Sequence, residues 1–167
     1  MKRVLYLILF TTIIACAEKS EKNTTEGEKA IEVEKDSVST QDVAAIEERL
    51  KKDGYQTFSY KDGDTTYLMQ QYYMVFLKSG ATRSQDSTEA AELQKQHLAH
   101  LSRMYKEGYT SLTGPMGDDG DLRGIVVYNT ATLKEADSLA NLDPMVKAGR
   151  LKVEVHPWWV AKGGKLK

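Results

Sequence analysis

The order of hydrophobic periodicities between Gln71 and Ala161 leaves few folds open to this chain. "QYYMVFLKSG" is rich in aromatic and branched residues and reads as a strand. A polar loop, "GATRSQ", leads to a long helix that Asp86 and Glu89 open in a capping-box pattern and Gly108 ends. Two strands follow, "YTSLTGP" and "RGIVVYNT", joined by the acidic loop "MGDDGDL". Thr132 and Glu135 repeat the capping box and open a second helix that runs to about Leu142. "DPMVKAG" makes a turn, and "RLKVEVHPWWV" alternates Val153 and Val155 with Glu154, as a last strand does. The resulting order is βαββαβ. One antiparallel sheet with both helices on one face satisfies it, the ferredoxin-like arrangement of an α+β domain.

Two elements precede this unit. "QDVAAIEERLKKDG" carries Val43, Ile46 and Leu50 at helical spacing, and Lys51, Lys52 and Gly54 supply a basic last turn and a stop. "YQTFSY" and "TTYLM" flank Asp62-Gly63, which gives a β-hairpin its tight turn. Before them, residues 17–40 contain no aromatic side chain and few apolar ones, too little to offset the entropy of ordering, and read as a tether.

The N-terminus has the order of a secretory signal: Lys2 and Arg3, then an apolar run from Val4 that closes at Cys16 in "IIAC". The run is too short for a comfortable membrane span. One reading of Cys16, the sole cysteine, is a buried thiol; the other is lipidation, because "IIAC" resembles the lipobox of bacterial lipoproteins. That resemblance implies a protein of the bacterial cell envelope held on a membrane by lipid, and Ala17 favours the outer membrane over the inner. The expected organisation is a signal over 1–15, a lipidated cysteine and tether over 16–40, a helix and hairpin over 41–70, the main domain over 71–161 and a tail over 162–167. Without Lys2 and Arg3 the balance is 21 basic against 24 acidic residues, so no basic excess points to nucleic acid.

Chemistry concentrates in "QHLAHLSRMYKEG". On a helix, Ala90, Leu93, Leu101 and Met104 form one stripe; His97 lies inside it and His100 on its edge. His97 is either a neutral core residue bonded to a carbonyl, or an acid or base lining a cavity between helix and sheet. Gly114-Pro115 is either a plain turn or the end of a strand at a pocket mouth. Asp118, Asp119 and Asp121 lack the spacing of a calcium loop, and His156 lacks any usual zinc spacing, so no metal or cofactor is expected. Trp158 and Trp159 should point to opposite faces, one inward and one toward a partner.

Taken in order, "HLAHLSRMYKEG", "LTGPMG", "EADSLANLDPMVKAG" and "VEVHPWW" resemble the YCII-related (YciI-like) domain family over roughly residues 71–161. The resemblance implies the dimeric α/β-barrel variety of the ferredoxin-like fold, hence a homodimer. It also implies a site that pairs His97 with Asp143, beside Gly114 and Pro115; His100 falls on a variable position and receives no role. Asp143 reads equally well as the N-cap of "PMVKAG". The implied function is acid–base chemistry of isomerase or lyase type on a small organic molecule. The alternative is a non-catalytic ligand-binding or scaffold domain of the cell envelope.

Replacing Cys16 with Ser is expected to abolish lipid attachment and move the protein from the membrane to the soluble fraction, read by intact mass and by fractionation. Unchanged partitioning would overturn the lipid reading.

Overall fold

A single long strand organises the molecule. The computed structural model describes residues 40–164 and 166; the signal region, Cys16 and the tether up to Ser39 lie outside the described residues. The elements are α1 (Thr40–Lys52), β1 (Thr57–Asp62), β2 (Thr65–Ser79), α2 (Ser87–Lys106), β3 (Thr110–Pro115), β4 (Leu122–Tyr128), α3 (Leu133–Ala140), α4 (Pro144–Lys147) and β5 (Leu151–Ala161). The five-stranded sheet is antiparallel throughout, with β5, β2, β4 and β3 in that spatial order. This is the ferredoxin-like arrangement expected from βαββαβ.

The sequence separates the hairpin from the first core strand near residue 70, whereas β2 runs unbroken through both. No Gly, Pro or turn residue interrupts it, and the strand continues through Gln70 and Gln71, with the buried positions shifting by one residue between Gln70 and Tyr73. Gln70 is fully buried and satisfied: its amide donates to Asn129 Oδ1 (2.7 Å) and its carbonyl accepts from Lys162 Nζ (2.7 Å). β5 pairs with β2 from Met69 to Ser79 on one edge. β1 pairs over Thr65–Gln70 and β4 over Tyr73–Lys78, so these two share the other edge end to end.

One sheet face carries Tyr73, Val75 and Leu77 of β2 with Val126 and Tyr128 of β4, packed against Met104 of α2 and Ala136 and Ala140 of α3. Asp86 caps α2 by accepting from the Thr88 and Glu89 amides at 2.8 and 2.9 Å, and Thr132 caps α3 through the Glu135 amide at 3.2 Å. α3 ends two residues before the expected Leu142, where the Asn141 side chain bonds the Asp137 carbonyl. The turn segment "DPMVKAG" contains the one-turn helix α4, with Asp143 as its N-cap. Val43 and Leu50 of α1 pack on Leu68, with Ile46 and Tyr55 beside them, so the first helix is docked at the hairpin end of β2. The opposite sheet face, with Met74, Phe76, Val127 and Trp158, points away from α2 and α3. Among the described residues, no helix is long and apolar enough to cross a membrane.

After β2 the chain crosses tightly under the turn that precedes β5: Gly80 donates to the Arg150 carbonyl at 2.9 Å and Thr82 to the Gly149 carbonyl at 3.0 Å. A Cβ on Gly80 would overlap the Gly149 carbonyl oxygen. Gly80→Ala is therefore expected to destabilise the fold by about 1–3 kcal/mol, the usual range for forced overpacking. A urea midpoint equal to that of the unaltered protein would refute this.

Candidate active site

Antiparallel order brings the end of β2, the end of β3 and the starts of β4 and β5 to one end of the sheet. Over that end lies the middle of α2, and a cavity of about 440 Å³ opens between them. His97 lines this cavity, and so do Gly114 and Pro115 at the end of β3. Leu77, Leu101, Val126 and Met145 supply apolar wall. Arg83, Arg123 and Arg150 border the same space from the β2–α2 loop, the start of β4 and the turn before β5.

His97 does not bond a backbone carbonyl. Its Nδ1–H donates to Asp143 Oδ2 at 2.5 Å, and the second carboxylate oxygen accepts from the Met145 amide at 2.8 Å. Both residues are buried, at 8% and 2% exposure, so the interaction is shielded from water. Asp143 thus fills both roles open to it in the sequence: it caps α4 with one oxygen and holds the imidazole with the other. The bond fixes the tautomer, placing the proton on Nδ1 and leaving Nε2 as the basic nitrogen. No other hydrogen bond involves the His97 ring among the described residues.

The sequence places His100 at the edge of the stripe, yet it is buried at 5% exposure. Arg103 donates to its Nδ1 at 3.3 Å, and its Nε2 is buried without a hydrogen-bond partner. Burial pushes the His100 imidazole below the usual histidine range; Asp143 pulls the other way, and Arg103, His97 and Lys147 add to the lowering. Burial, and behind it the Asp143 carboxylate, push the Tyr128 hydroxyl far above the usual phenol range, so it stays protonated beside the pair. His156 lies on the opposite sheet face and bonds Glu154 at 2.7 Å, well apart from His97. In the acidic loop, Asp121 and Asp119 face Lys78 and Arg123 at 3.6 and 3.9 Å. Among the described residues, no group of three His, Cys, Asp or Glu side chains could hold a metal ion.

The model of the YCII-related domain matches residues 72–159, within the βαββαβ unit. No curated protein matches the chain. Among solved structures, the chain is similar to 5-chloro-2-hydroxyhydroquinone dehydrochlorinase (TftG) from Burkholderia phenoliruptrix AC1100, determined in complex with 2,5-dihydroxybenzoquinone. That similarity has a TM-score of 0.40 and 22% identity, and covers 52% of this chain and 92% of the other.

The depressed His100 fixes a pH dependence. Folded His100 stays neutral where the unfolded chain, with its ordinary value of 6.5, takes up a proton. Its contribution to stability is full above that value and is lost as pH falls through it. Between pH 7.5 and about 5.5, His100→Leu should show a shallower loss of stability than the unaltered protein in parallel urea titrations. Equal slopes would mean that another group governs this window.

Proposed function

Since the chain belongs to the YCII-related domain family, we propose that its domain is an acid–base enzyme of isomerase or lyase type acting on a small organic molecule through His97 and Asp143. The observation that carries this reading is the 2.5 Å bond that orients a cavity-lining imidazole. With Nδ1–H held by Asp143, Nε2 takes a proton from a carbon next to a carbonyl, and the freed electron pair moves onto the carbonyl oxygen as an enolate. The Asp143 carboxylate stabilises the imidazolium so formed. The enolate then recovers the proton at another carbon, an isomerisation, or expels a leaving group from the β-carbon, an elimination. No nucleophile is needed.

The same proposal includes a homodimer and a membrane tether. The sheet face turned away from α2 and α3 offers Met74, Phe76 and Trp158, the apolar character that a second copy would cover. Cys16 would hold the assembly on the envelope membrane through lipid.

The test is hydrogen–deuterium exchange at carbon, followed by proton NMR in D₂O, with full-length protein in non-ionic detergent and a panel of lactones and cyclic hydroxyketones, each with and without a carboxylate substituent. Exchange should be catalysed, and His97→Gln should lower its rate by roughly 10²–10⁴-fold, the usual contribution of a positioned general base. Asp143→Asn should also slow it, because the amide holds the ring without stabilising the imidazolium. Exchange that is equally fast with His97→Gln, or no faster than buffer with the unaltered protein, would sink the enzyme reading and leave a binding module.

A further inference from the structure

The cavity that contains His97 is unusual in its charge. Arg83, Arg123 and Arg150 all line it, and no Asp or Glu does. Each guanidinium spends one N–H on a neutral oxygen: Arg83 on the Arg150 carbonyl (3.3 Å), Arg150 on Gln85 Oε1 (3.0 Å) and Arg123 on the Gly120 carbonyl (3.1 Å). A guanidinium has five donors, so these bonds orient the groups and leave most of each fork unused. Among the described residues the nearest carboxylate to any of them is Asp119, fully exposed and 3.9 Å from Arg123, a separation that water screens heavily. Asp143, the carboxylate behind His97, is already engaged by the imidazole and the Met145 amide. Three like charges bordering one concave site create a positive potential that attracts an anion.

On the reading given above of the His97 site, we propose that its substrate is a small organic carboxylate, held by Arg83, Arg123 and Arg150 with its reacting carbon presented to His97. The guanidinium fork matches a carboxylate in geometry as well as in charge. Leu77, Leu101, Met145 and Leu151 line the rest of the cavity and ask for a hydrocarbon body, which inorganic anions lack. The volume of about 440 Å³ falls within the roughly 300–1,000 Å³ of small-molecule sites. One carboxylate leaves two of the three positive charges uncompensated, and these favour the proton transfer. The enolate that forms at the carbonyl adds charge where cations already stand.

The experiment is a calorimetric titration of the full chain in non-ionic detergent with benzoate, with neutral benzamide of the same shape and with inorganic sulfate. Benzoate should bind at least roughly tenfold more tightly than benzamide and more tightly than sulfate, and added salt should weaken it. Arg123→Gln and Arg83→Gln should each weaken benzoate by roughly tenfold, the loss expected for a charge-assisted bond, with Lys at either position restoring part of it. Lys106→Gln, on the exposed last turn of α2, should leave it unchanged. Arg150→Gln disturbs the Gln85 contact, so it counts only if its circular dichroism matches that of the unaltered chain. Equal affinity for benzoate and benzamide, tightest binding of sulfate, no binding at millimolar concentration, or Gln variants that bind normally would each overturn the proposal. Carbon exchange is read separately, on the carbonyl panel: benzoate binding with no exchange in any carboxylated member of that panel would uphold the anion site and sink the enzyme reading alone.

Discussion

Everything in this molecule hangs on β2. It pairs with β5 on one side and with β1 and β4 in succession on the other, so three strands share it, whereas β4 lies between β2 and β3 alone. Its helix-side residues, Tyr73, Val75 and Leu77, form the floor against which α2 and α3 are held. A strand this central must be satisfied in every backbone group and filled on every buried side chain, since neither edge reaches water. That requirement explains Gln70, buried at mid-strand where an apolar residue would seem natural. Its two amide atoms are taken by Asn129 and Lys162, which ties β2 to the segment after β4 and to the residue that follows β5.

The His97–Asp143 pair is the one place where the helix layer departs from simple packing. Two polar side chains brought out of water cost free energy that their attraction rarely exceeds, so apolar residues of like volume would serve stability as well or better. The arrangement nonetheless satisfies both carboxylate oxygens and joins α2 to the start of α4 across the chain. Breaking it by removing one partner would strand the other, at a cost of about 3–5 kcal/mol. Stability alone gives no reason to build it; an imidazole whose tautomer is fixed and whose other nitrogen remains available is the gain that the packing forgoes.

How much of this was legible beforehand depended on how local each signal was. The βαββαβ order could be read because period, caps and turn residues lie within a few positions of one another: Asp86 with Glu89 and Thr132 with Glu135 act as caps in the fold. The continuity of β2 was hidden by Gln70 and Gln71, whose polarity suggests a break when their distant partners are unknown. His100 fell at the edge of a stripe drawn from one helix alone, which leaves out the elements packed against α2, and in the fold it is buried. The pairing of His97 with Asp143 came only from family resemblance, because 46 residues separate them and nothing in either segment marks the contact. The three arginines gave no signal at all. They sit in three separate stretches, and only the antiparallel order, which gathers those stretches at one end of the sheet, makes them neighbours of one cavity.

That same topology separates the two ends of the molecule. α1 docks on Leu68, near the hairpin end of β2, while the cavity begins at Leu77. At the usual rise of a strand the two are about 30 Å apart along β2. The helix that leads in from the N-terminal side is therefore packed away from His97, and its apolar stripe is spent on Leu68 and Tyr55 rather than on the cavity mouth. Lengthening β2 beyond the core accomplishes this: the extra residues give α1 a surface of its own and leave the helix–sheet cavity open at the far end. The extension and the site are two consequences of one strand.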